Sequence, residues 1–176
     1  MSDLLTGERI SLRAVEPEDL DFLYFCENDT SVWRVSNTQK PYSKFILRQY
    51  IEASAEDIYT AKQVRLIIEK KEDQKAIGAI DLFDFDPYHQ RAGIGIIISD
   101  KSELQKGFAR EALQLVINYS FMHLNLHQLY CNIGENNTAS IKLFTTCGFV
   151  QCGSKSDWLK TPTGWENELL FQLIKK

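Results

Sequence analysis

The fold follows from one stretch of the sequence, Ser102-Glu103-Leu104-Gln105-Lys106-Gly107-Phe108-Ala109-Arg110-Glu111-Ala112-Leu113. A polar loop with a single glycine leads there into an amphipathic helix, directly after a very apolar strand over residues 94–98. A helix N-terminus presents unpaired N–H groups and the positive end of the helix dipole, which suit a phosphate or a pyrophosphate. Gly107 lets the backbone come close to such a ligand, and Lys106 adds a positive charge. The stretch therefore predicts an anion site at a strand–loop–helix junction.

A second informative segment is Asn136-Asn137-Thr138-Ala139-Ser140-Ile141-Lys142-Leu143-Phe144-Thr145-Thr146-Cys147-Gly148-Phe149. Either Asn137 or Thr138 can cap the start of a short helix. Gly148 can take the left-handed conformation that ends a helix, and Phe149 then opens a strand. The segment predicts a helix between two strands.

Together the two segments resemble the acetyl-CoA-binding core of the GNAT superfamily of N-acetyltransferases. The first family motif has the form Gln/Arg-x-x-Gly-x-Gly/Ala, and the second reads Asn-x-x-Ser/Ala…Tyr…Gly-Phe. The positions that match are Gly107, Ala109, Asn137, Ser140, Gly148 and Phe149. Two positions differ, because Leu104 replaces the Gln or Arg and Phe144 replaces the Tyr.

The resemblance implies acetyl-CoA as co-substrate and a set of residues that bind it. In the family, a splayed strand pairs with the pantetheine arm and directs an N–H at the thioester carbonyl, and the loop after it holds the pyrophosphate. The resemblance assigns these tasks to residues 96–98 and 104–110, and a hydrogen bond to the pantetheine arm to Asn137. The predicted cofactor-binding residues are Ile96, Ile97, Ile98, Leu104, Gln105, Lys106, Gly107, Phe108, Ala109, Arg110, Asn137, Ser140 and Phe144.

Hydrophobic periodicity predicts the other elements. Strands are expected over residues 8–14, 64–69, 76–85, 92–99, 128–133, 150–159 and 165–174. Helices are expected to begin at Pro17 and at Pro41, with Phe25 among the side chains that the first one buries, and a long helix is expected over residues 108–123. This order predicts an α/β fold in which helices flank a mixed, mostly antiparallel sheet. It is also the order of the GNAT fold, so we expect a single domain over residues 1–176.

Composition and charge limit the classes of function that this protein can have. The chain has 176 residues, a formal net charge of −4 and a pI near 5.4. This charge argues against nucleic acid as the main partner, because phosphate backbones are bound by clustered Lys and Arg. The four cysteines show no spacing typical of a metal site, so we expect no metal and reduced thiols. Neither a membrane-spanning segment nor a basic, apolar leader is apparent, which favours a cytoplasmic protein.

Acetyl transfer requires an amine that has lost its proton, so a carboxylate or a water chain is expected near the thioester. Asp81 is the first candidate for this base, because an acid between Ile80 and Leu82 is unusual in a strand. Asp84 and His89 are the next candidates. A thiol has a pKa near 8.5, so the thiolate can leave without an acid, and Phe144 has no proton to donate to it. Tyr130, Ser140 or a water molecule is an alternative acid.

Stretches outside the cofactor core resemble the bacterial spermidine/spermine (diamine) N-acetyltransferases, and the ribosomal-protein N-terminal acetyltransferases share much of the pattern. These stretches cover residues 28–34, 40–42, 89–92 and 125–130. The acids available for an amine are Glu27, Asp29, Glu52, Glu56, Asp81 and Asp84. In the diamine family an acidic pair stands where this chain has Gln39-Lys40, and a glutamate is common where it has Gly93.

Three functions are therefore open. The first is acetylation of a small diamine or polyamine. The second is acetylation of a protein N-terminus or of an aminoglycoside-type amine. The third is an acyl-CoA-binding protein with little activity, suggested by Phe144. The apolar C-terminal strand, residues 169–174, makes a homo-oligomer plausible.

Overall fold

The computed structural model describes residues 4–176, and within that range seven strands and six α-helices follow one another. The strands are β1 (Ile10–Ala14), β2 (Val64–Lys70), β3 (Ala76–Asp86), β4 (Arg91–Ile98), β5 (Gln128–Gly134), β6 (Val150–Thr161) and β7 (Gly164–Ile174). The helices are α1 (Leu20–Glu27), α2 (Trp33–Ser36), α3 (Lys44–Ala53), α4 (Ile58–Ala61), α5 (Phe108–Met122) and α6 (Thr138–Thr146). Short 3₁₀ turns, Pro17–Asp19 and Lys101–Glu103, precede α1 and α5. None of the helices within the described range is both long and apolar enough to cross a membrane.

All seven strands belong to one sheet, in the order β1-β2-β3-β4-β5-β7-β6. Every neighbouring pair is antiparallel except β4 and β5, which α5 connects as a parallel crossover. This confirms the predicted α/β fold with a mixed, mostly antiparallel sheet flanked by helices.

The larger hydrophobic core lies between the sheet and α5. Alternate residues of the central strands, such as Ile80 and Ile94, point towards Ala112, Leu113 and Val116 of the helix, and all five are almost fully buried. The period of two along each strand and of 3.6 along the helix brings these side chains together. Burial of each large aliphatic side chain contributes roughly 1.5–3 kcal/mol.

A smaller core joins α1 and α3 to the opposite face of the sheet through Leu23, Leu47 and Ile67. The α3 helix begins at Lys44 rather than at Pro41, because the Ser43 hydroxyl accepts a hydrogen bond from the N–H of Ile46 and caps the helix there.

The predicted burial of Phe25 is wrong, since its side chain is 65% exposed. It lies about 200° around the helix from the buried Leu23, on the side away from the sheet.

Candidate active site

A cavity opens at the point where β4 and β5 part. The two strands pair only between residues 91–93 and residues 128–130. Beyond this ladder, both strands line a cavity of about 880 Å³. The N–H and C=O groups on the inner edge of β4 are no longer held by β5, so they are free to pair with an extended ligand. An amide-rich arm such as pantetheine fits this edge.

The three isoleucines predicted to contact the arm differ in their surroundings. Ile96 and Ile98 pack against the core beneath α5, whereas Ile97 lies opposite Ala79 on the other face of the sheet. Ile96 and Ile97 line the cavity, and Ile98 does not. A ligand along this edge would therefore meet their backbone groups more than their side chains.

The predicted phosphate loop turns sharply before α5. Gln105 and Gly107 both have positive φ angles, 62° and 87°. Gly107 occupies the N-cap position, and no side chain caps this end of the helix. The first N–H groups of α5 are thus left for solvent or for an anion, as the sequence predicts for this junction.

The side chains of the loop do not line the cavity itself. Leu104, Gln105, Lys106 and Arg110 are exposed and Ala109 is partly buried, whereas Phe108 is buried in the main core. What Phe108 can offer a ligand is therefore its backbone N–H.

Lys106 does not stand free in this loop. Its ammonium donates a hydrogen bond of 2.9 Å to the buried carboxylate of Glu103, and this contact lowers the pKa of Glu103. Lys70 contacts the same carboxylate at 3.3 Å. The charge of Lys106 is thus partly neutralised before any anion binds.

The second predicted motif forms α6. The side-chain oxygen of Asn137 accepts a hydrogen bond of 3.1 Å from the N–H of Ser140, so Asn137 is the N-cap. Within residues 4–176, no group accepts a hydrogen bond from its amide nitrogen. Both residues line the cavity. Gly148 has a φ of 94° just after the helix, as the sequence predicts.

Phe144 has two roles in the structure. Its side chain is only 3% exposed and packs edge-on against Phe149, with the ring centroids 5.0 Å apart. It also lines the cavity beside Asn137 and Ser140. At the position of the family tyrosine, the Phe144 ring therefore packs in the core and also borders the cavity.

Asp81 on β3 also lines the cavity, where it forms a cluster with Glu27 and the guanidinium group of Arg65. Arg65 donates from Nε and Nη2 to its two carboxylate oxygens, both at 2.8 Å, and from Nη1 to Glu27 at 2.5 Å. Burial would lower the pKa of Arg65, but the hydrogen bond and charge of Asp81 raise it well above its ordinary value. Arg65 thus stays cationic between the two carboxylates, and all three groups line the cavity. Each carboxylate oxygen keeps a lone pair for a further donor.

Two further carboxylates line the cavity, Glu166 and Glu168 on β7, and neither is predicted from the sequence as a site residue. Glu166 accepts hydrogen bonds from Arg34 at 2.6 Å and from Asn136 at 2.7 Å, and Glu168 accepts one from Lys155 at 2.6 Å. Both are more than nine-tenths buried. Their signal in the sequence is the spacing of two, which places both acids on one face of a strand.

An aromatic ring covers the sheet between these groups. Phe83, two residues after Asp81 on β3, lies over Gly93 so closely that a Cβ at Gly93 would overlap its ring. A Cβ at Gly95 would lie 3.7 Å from the same ring. Gly93 stands where diamine acetyltransferases often carry glutamate, and here its missing side chain makes room for an apolar wall.

The other candidates from the sequence lie outside the cavity lining. Asp84 and His89 are exposed, and Asp84 accepts a hydrogen bond of 3.2 Å from the Tyr130 hydroxyl. Burial, reinforced by the charge of Asp84, raises the pKa of Tyr130 to about 12. Its hydroxyl is bound to Asp84 and lies outside the cavity lining, so the structure does not favour Tyr130 as the acid for a leaving thiolate.

Comparison with known proteins agrees with this geometry. The family profile of the acetyltransferase (GNAT) domain matches residues 9–150. A spermidine N(1)-acetyltransferase from Vibrio cholerae is 30% identical over 147 residues, which cover 84% of this chain and 82% of the relative.

Two solved structures of spermidine N-acetyltransferase from Vibrio cholerae are similar over almost the whole chain. A complex with CoA and spermine superposes with a TM-score of 0.84 at 25% identity, covering 96% of each chain. A dodecameric form in an intermediate state has a TM-score of 0.79 at 26% identity, covering 96% of this chain and 95% of the other. The opened edge of β4, the uncapped start of α5 and these similarities agree: the chain belongs to the GNAT family and is an N-acetyltransferase with acetyl-CoA as its co-substrate.

Proposed function

We propose that this enzyme transfers the acetyl group of acetyl-CoA to a primary amine of a diamine or polyamine. The observation that carries the proposal is the content of one cavity. It joins the opened edge of β4 to four carboxylates, Glu27, Asp81, Glu166 and Glu168, with two arginines, Arg34 and Arg65, also in its lining. With Lys155, which holds Glu168, included, the four carboxylates still outnumber their cations, so the cavity favours a cationic amine, and Phe83 offers an apolar surface to its alkyl chain.

We assign acetyl-CoA to the residues named from the sequence. The backbone of Ile96, Ile97 and Ile98 would pair with the pantetheine arm and polarise the thioester carbonyl, and Asn137 would donate its amide N–H to the arm, with Ser140 and Phe144 beside it. The pyrophosphate would lie at the start of α5, on backbone N–H groups of the loop Leu104, Gln105, Lys106, Gly107, Phe108, Ala109 and Arg110.

Asp81 is proposed as the group that receives the proton of the amine, directly or through one water. Its partner in the register of the sheet is Gly95, one residue before the proposed pantetheine strand. The amine would therefore lose its proton close to the thioester that it attacks. The amine nitrogen then forms a bond to the carbonyl carbon and the C–S bond breaks. The second proton of the nitrogen passes to the departing thiolate, directly or through water, so that no acid is needed from Phe144.

The test is an acceptor panel with the product measured by mass spectrometry: acetyl-CoA with spermidine, putrescine, n-butylamine, an aminoglycoside and a peptide with a free N-terminus. We expect acetylated spermidine or putrescine, with kcat/KM at least tenfold above that for n-butylamine. Butylamine is the matched control because it has the chain of putrescine but only one ammonium group. Turnover of the peptide or the aminoglycoside alone would overturn the polyamine assignment.

We also propose that the chain forms a homo-oligomer, as the dodecameric Vibrio cholerae enzyme does. Exposed Trp158 and Trp165 near the β6–β7 turn supply apolar surface for such an assembly. Light scattering coupled to size exclusion tests this, and a mass equal to one chain of 20.3 kDa would contradict it.

A further inference from the structure

Arg9, the residue before β1, contacts the predicted phosphate loop. The side chain of Arg9 donates a hydrogen bond of 2.8 Å from Nη1 to the backbone carbonyl of Lys106. Its guanidinium carbon lies 4.7 Å from the centroid of the Phe108 ring. Its Nη2 would lie 3.1 Å from a Cβ built on Gly107. Arg9 therefore contacts Lys106 and Phe108 and lies beside Gly107 between them.

Glu111, in the first turn of α5, holds Arg9 in this position. One carboxylate oxygen accepts a hydrogen bond of 2.8 Å from the backbone N–H of Arg9, and the other accepts one of 3.2 Å from its Nε. A Cβ at Gly7 would overlap the same carboxylate, so the glycine makes room for it. Two of the donors of Arg9 are thus fixed on Glu111, and a third remains for the loop.

Through the geometry of the peptide bond, the contact between Arg9 and Lys106 fixes the direction of the N–H of Gly107. In a trans peptide the carbonyl of Lys106 and the N–H of Gly107 point in opposite directions. Because Arg9 holds the carbonyl on its own side, the N–H of Gly107 points away from Arg9, to the other side of the loop. An N–H fixed in advance loses less entropy when an anion binds to it.

We propose that Arg9 is a positioning residue for acetyl-CoA, which fixes the phosphate loop so that the N–H of Gly107 meets the pyrophosphate. The inference rests on the proposed location of the pyrophosphate at the start of α5. In this chain Leu104 replaces the family's Gln or Arg, and its exposed side chain cannot form hydrogen bonds. The contacts of Arg9 explain how the loop is held without that residue.

The test compares Arg9→Ala, Arg9→Lys and Arg13→Ala with the unmodified enzyme. Arg13 is the matched control, since it is an arginine of β1, four residues after Arg9, and binds Asp19 and Glu69 without touching the loop. By calorimetry we expect Arg9→Ala to weaken CoA binding about tenfold and Arg9→Lys about threefold, because lysine keeps one donor but loses the fork. Arg13→Ala is expected to lower the melting temperature and leave the Kd for CoA within twofold.

A truncated donor separates orientation of the loop from general damage. S-acetylpantetheine has the thioester and the arm but no pyrophosphate, so Arg9→Ala should reduce kcat/KM about tenfold with acetyl-CoA and leave it unchanged with S-acetylpantetheine. Equal losses with both donors, or an unchanged Kd for CoA, would refute the role of Arg9. An unmodified enzyme that does not bind CoA would instead refute the proposed function.

Discussion

At the scale of single residues, the chemistry of the cavity depends on which of its charged groups are already bound by other side chains of the protein. The carboxylate of Asp81 is bound through both oxygens by Arg65, which also holds Glu27. The two hydrogen bonds from Arg65 give this carboxylate a fixed orientation. It can therefore direct a water molecule or an ammonium group towards the thioester, but it binds the cation of a substrate in competition with Arg65.

Asp81→Asn keeps the shape of the side chain and removes the proton acceptor. We expect kcat to fall about a hundredfold at pH 7.5 with the KM for acetyl-CoA unchanged, since a general base contributes at least this much. The loss should shrink as the pH approaches the pKa of the free amine, because more of the substrate is then already neutral.

Asp84→Asn is the matched control, on the same strand but exposed and outside the cavity lining. It should change kcat less than threefold. A pH-independent loss in Asp81→Asn, or equal losses in the two variants, would argue against a proton-transfer role.

Phe144→Tyr tests whether the missing acid limits the rate. The new hydroxyl would reach the cavity that Phe144 lines, and we expect kcat to rise roughly two- to fivefold, a small gain because the thiolate leaves tolerably well unaided. Phe149→Tyr is the control: its ring packs on Phe144 but does not line the cavity, so its buried hydroxyl should cost about 1–3 kcal/mol of stability and add no activity. An unchanged kcat in Phe144→Tyr would show that release of the thiolate is not rate-limiting.

At the scale of elements, backbone groups form the two ends of the proposed cofactor site. The ladder between β4 and β5 ends after three residue pairs, and the opened edge faces the N-terminus of α6. The loop before α5 presents a helix start without a side-chain cap. Both features expose backbone donors in fixed directions.

Asn137 combines a helix cap with the proposed contact to the pantetheine arm, and two substitutions separate these roles. Asn137→Ala removes both and should lower the free energy of unfolding by about 1 kcal/mol. Asn137→Asp keeps a capping oxygen but loses the amide N–H, so we expect stability near that of the unmodified protein. Both variants should raise the KM for acetyl-CoA about fivefold in steady-state assays. A KM that recovers in Asn137→Asp would mean that Asn137 is only a cap.

At the scale of the whole molecule, the wall of the cavity that contains Asp81 lies on the face of the sheet that α1 and α3 partly cover, opposite the main core beneath α5. Ion pairs hold this covering layer to the sheet. Arg13 on β1 contacts Asp19 just before α1 at 2.7 Å and Glu69 on β2 at 2.5 Å. These ion pairs lie outside the cavity lining and stabilise the layer that covers this face of the sheet.

Asp19 should make the stability of the fold sensitive to acid. Burial alone would raise its pKa, but the hydrogen bonds from Arg13 and from the N–H of Glu16 outweigh burial and lower the pKa below its ordinary value of 3.8. A lowered folded-state pKa contributes stability above the unfolded-state pKa, and this contribution is lost as the pH falls below about 4. Asp19→Asn should therefore cost about 1.5 kcal/mol at pH 7 and less at pH 3.

Urea unfolding at several pH values measures this difference. Asp21→Asn is the control, because its carboxylate is exposed and pairs with Lys44 at the surface, so its effect should be much smaller at every pH. Parallel stability–pH curves for Asp19→Asn and the unmodified protein would contradict the prediction.

The fold could be predicted from the sequence because its signals are local. The long helix was expected over residues 108–123 and is observed over Phe108–Met122, since a polar loop, a glycine and a regular apolar face define it. Asn137 and Gly148 likewise mark the ends of α6 through capping geometry that depends on neighbouring residues alone. The short helices α2 and α4, of four residues each, have too few turns to produce a recognisable period.

The sequence by itself determined the order of the strands and of the longer helices, the family and the nature of the co-substrate, because motifs and hydrophobic periods act over a few residues. Only the tertiary structure decided which charges meet: Arg65 with Asp81 and Glu27, Arg34 with Glu166, and Arg9 with Glu111 and the phosphate loop. These partners are separated by between 16 and 132 residues, and a pairing over such distances is fixed by the register of the sheet and the packing of helices upon it. The chemistry of the cavity follows from that packing.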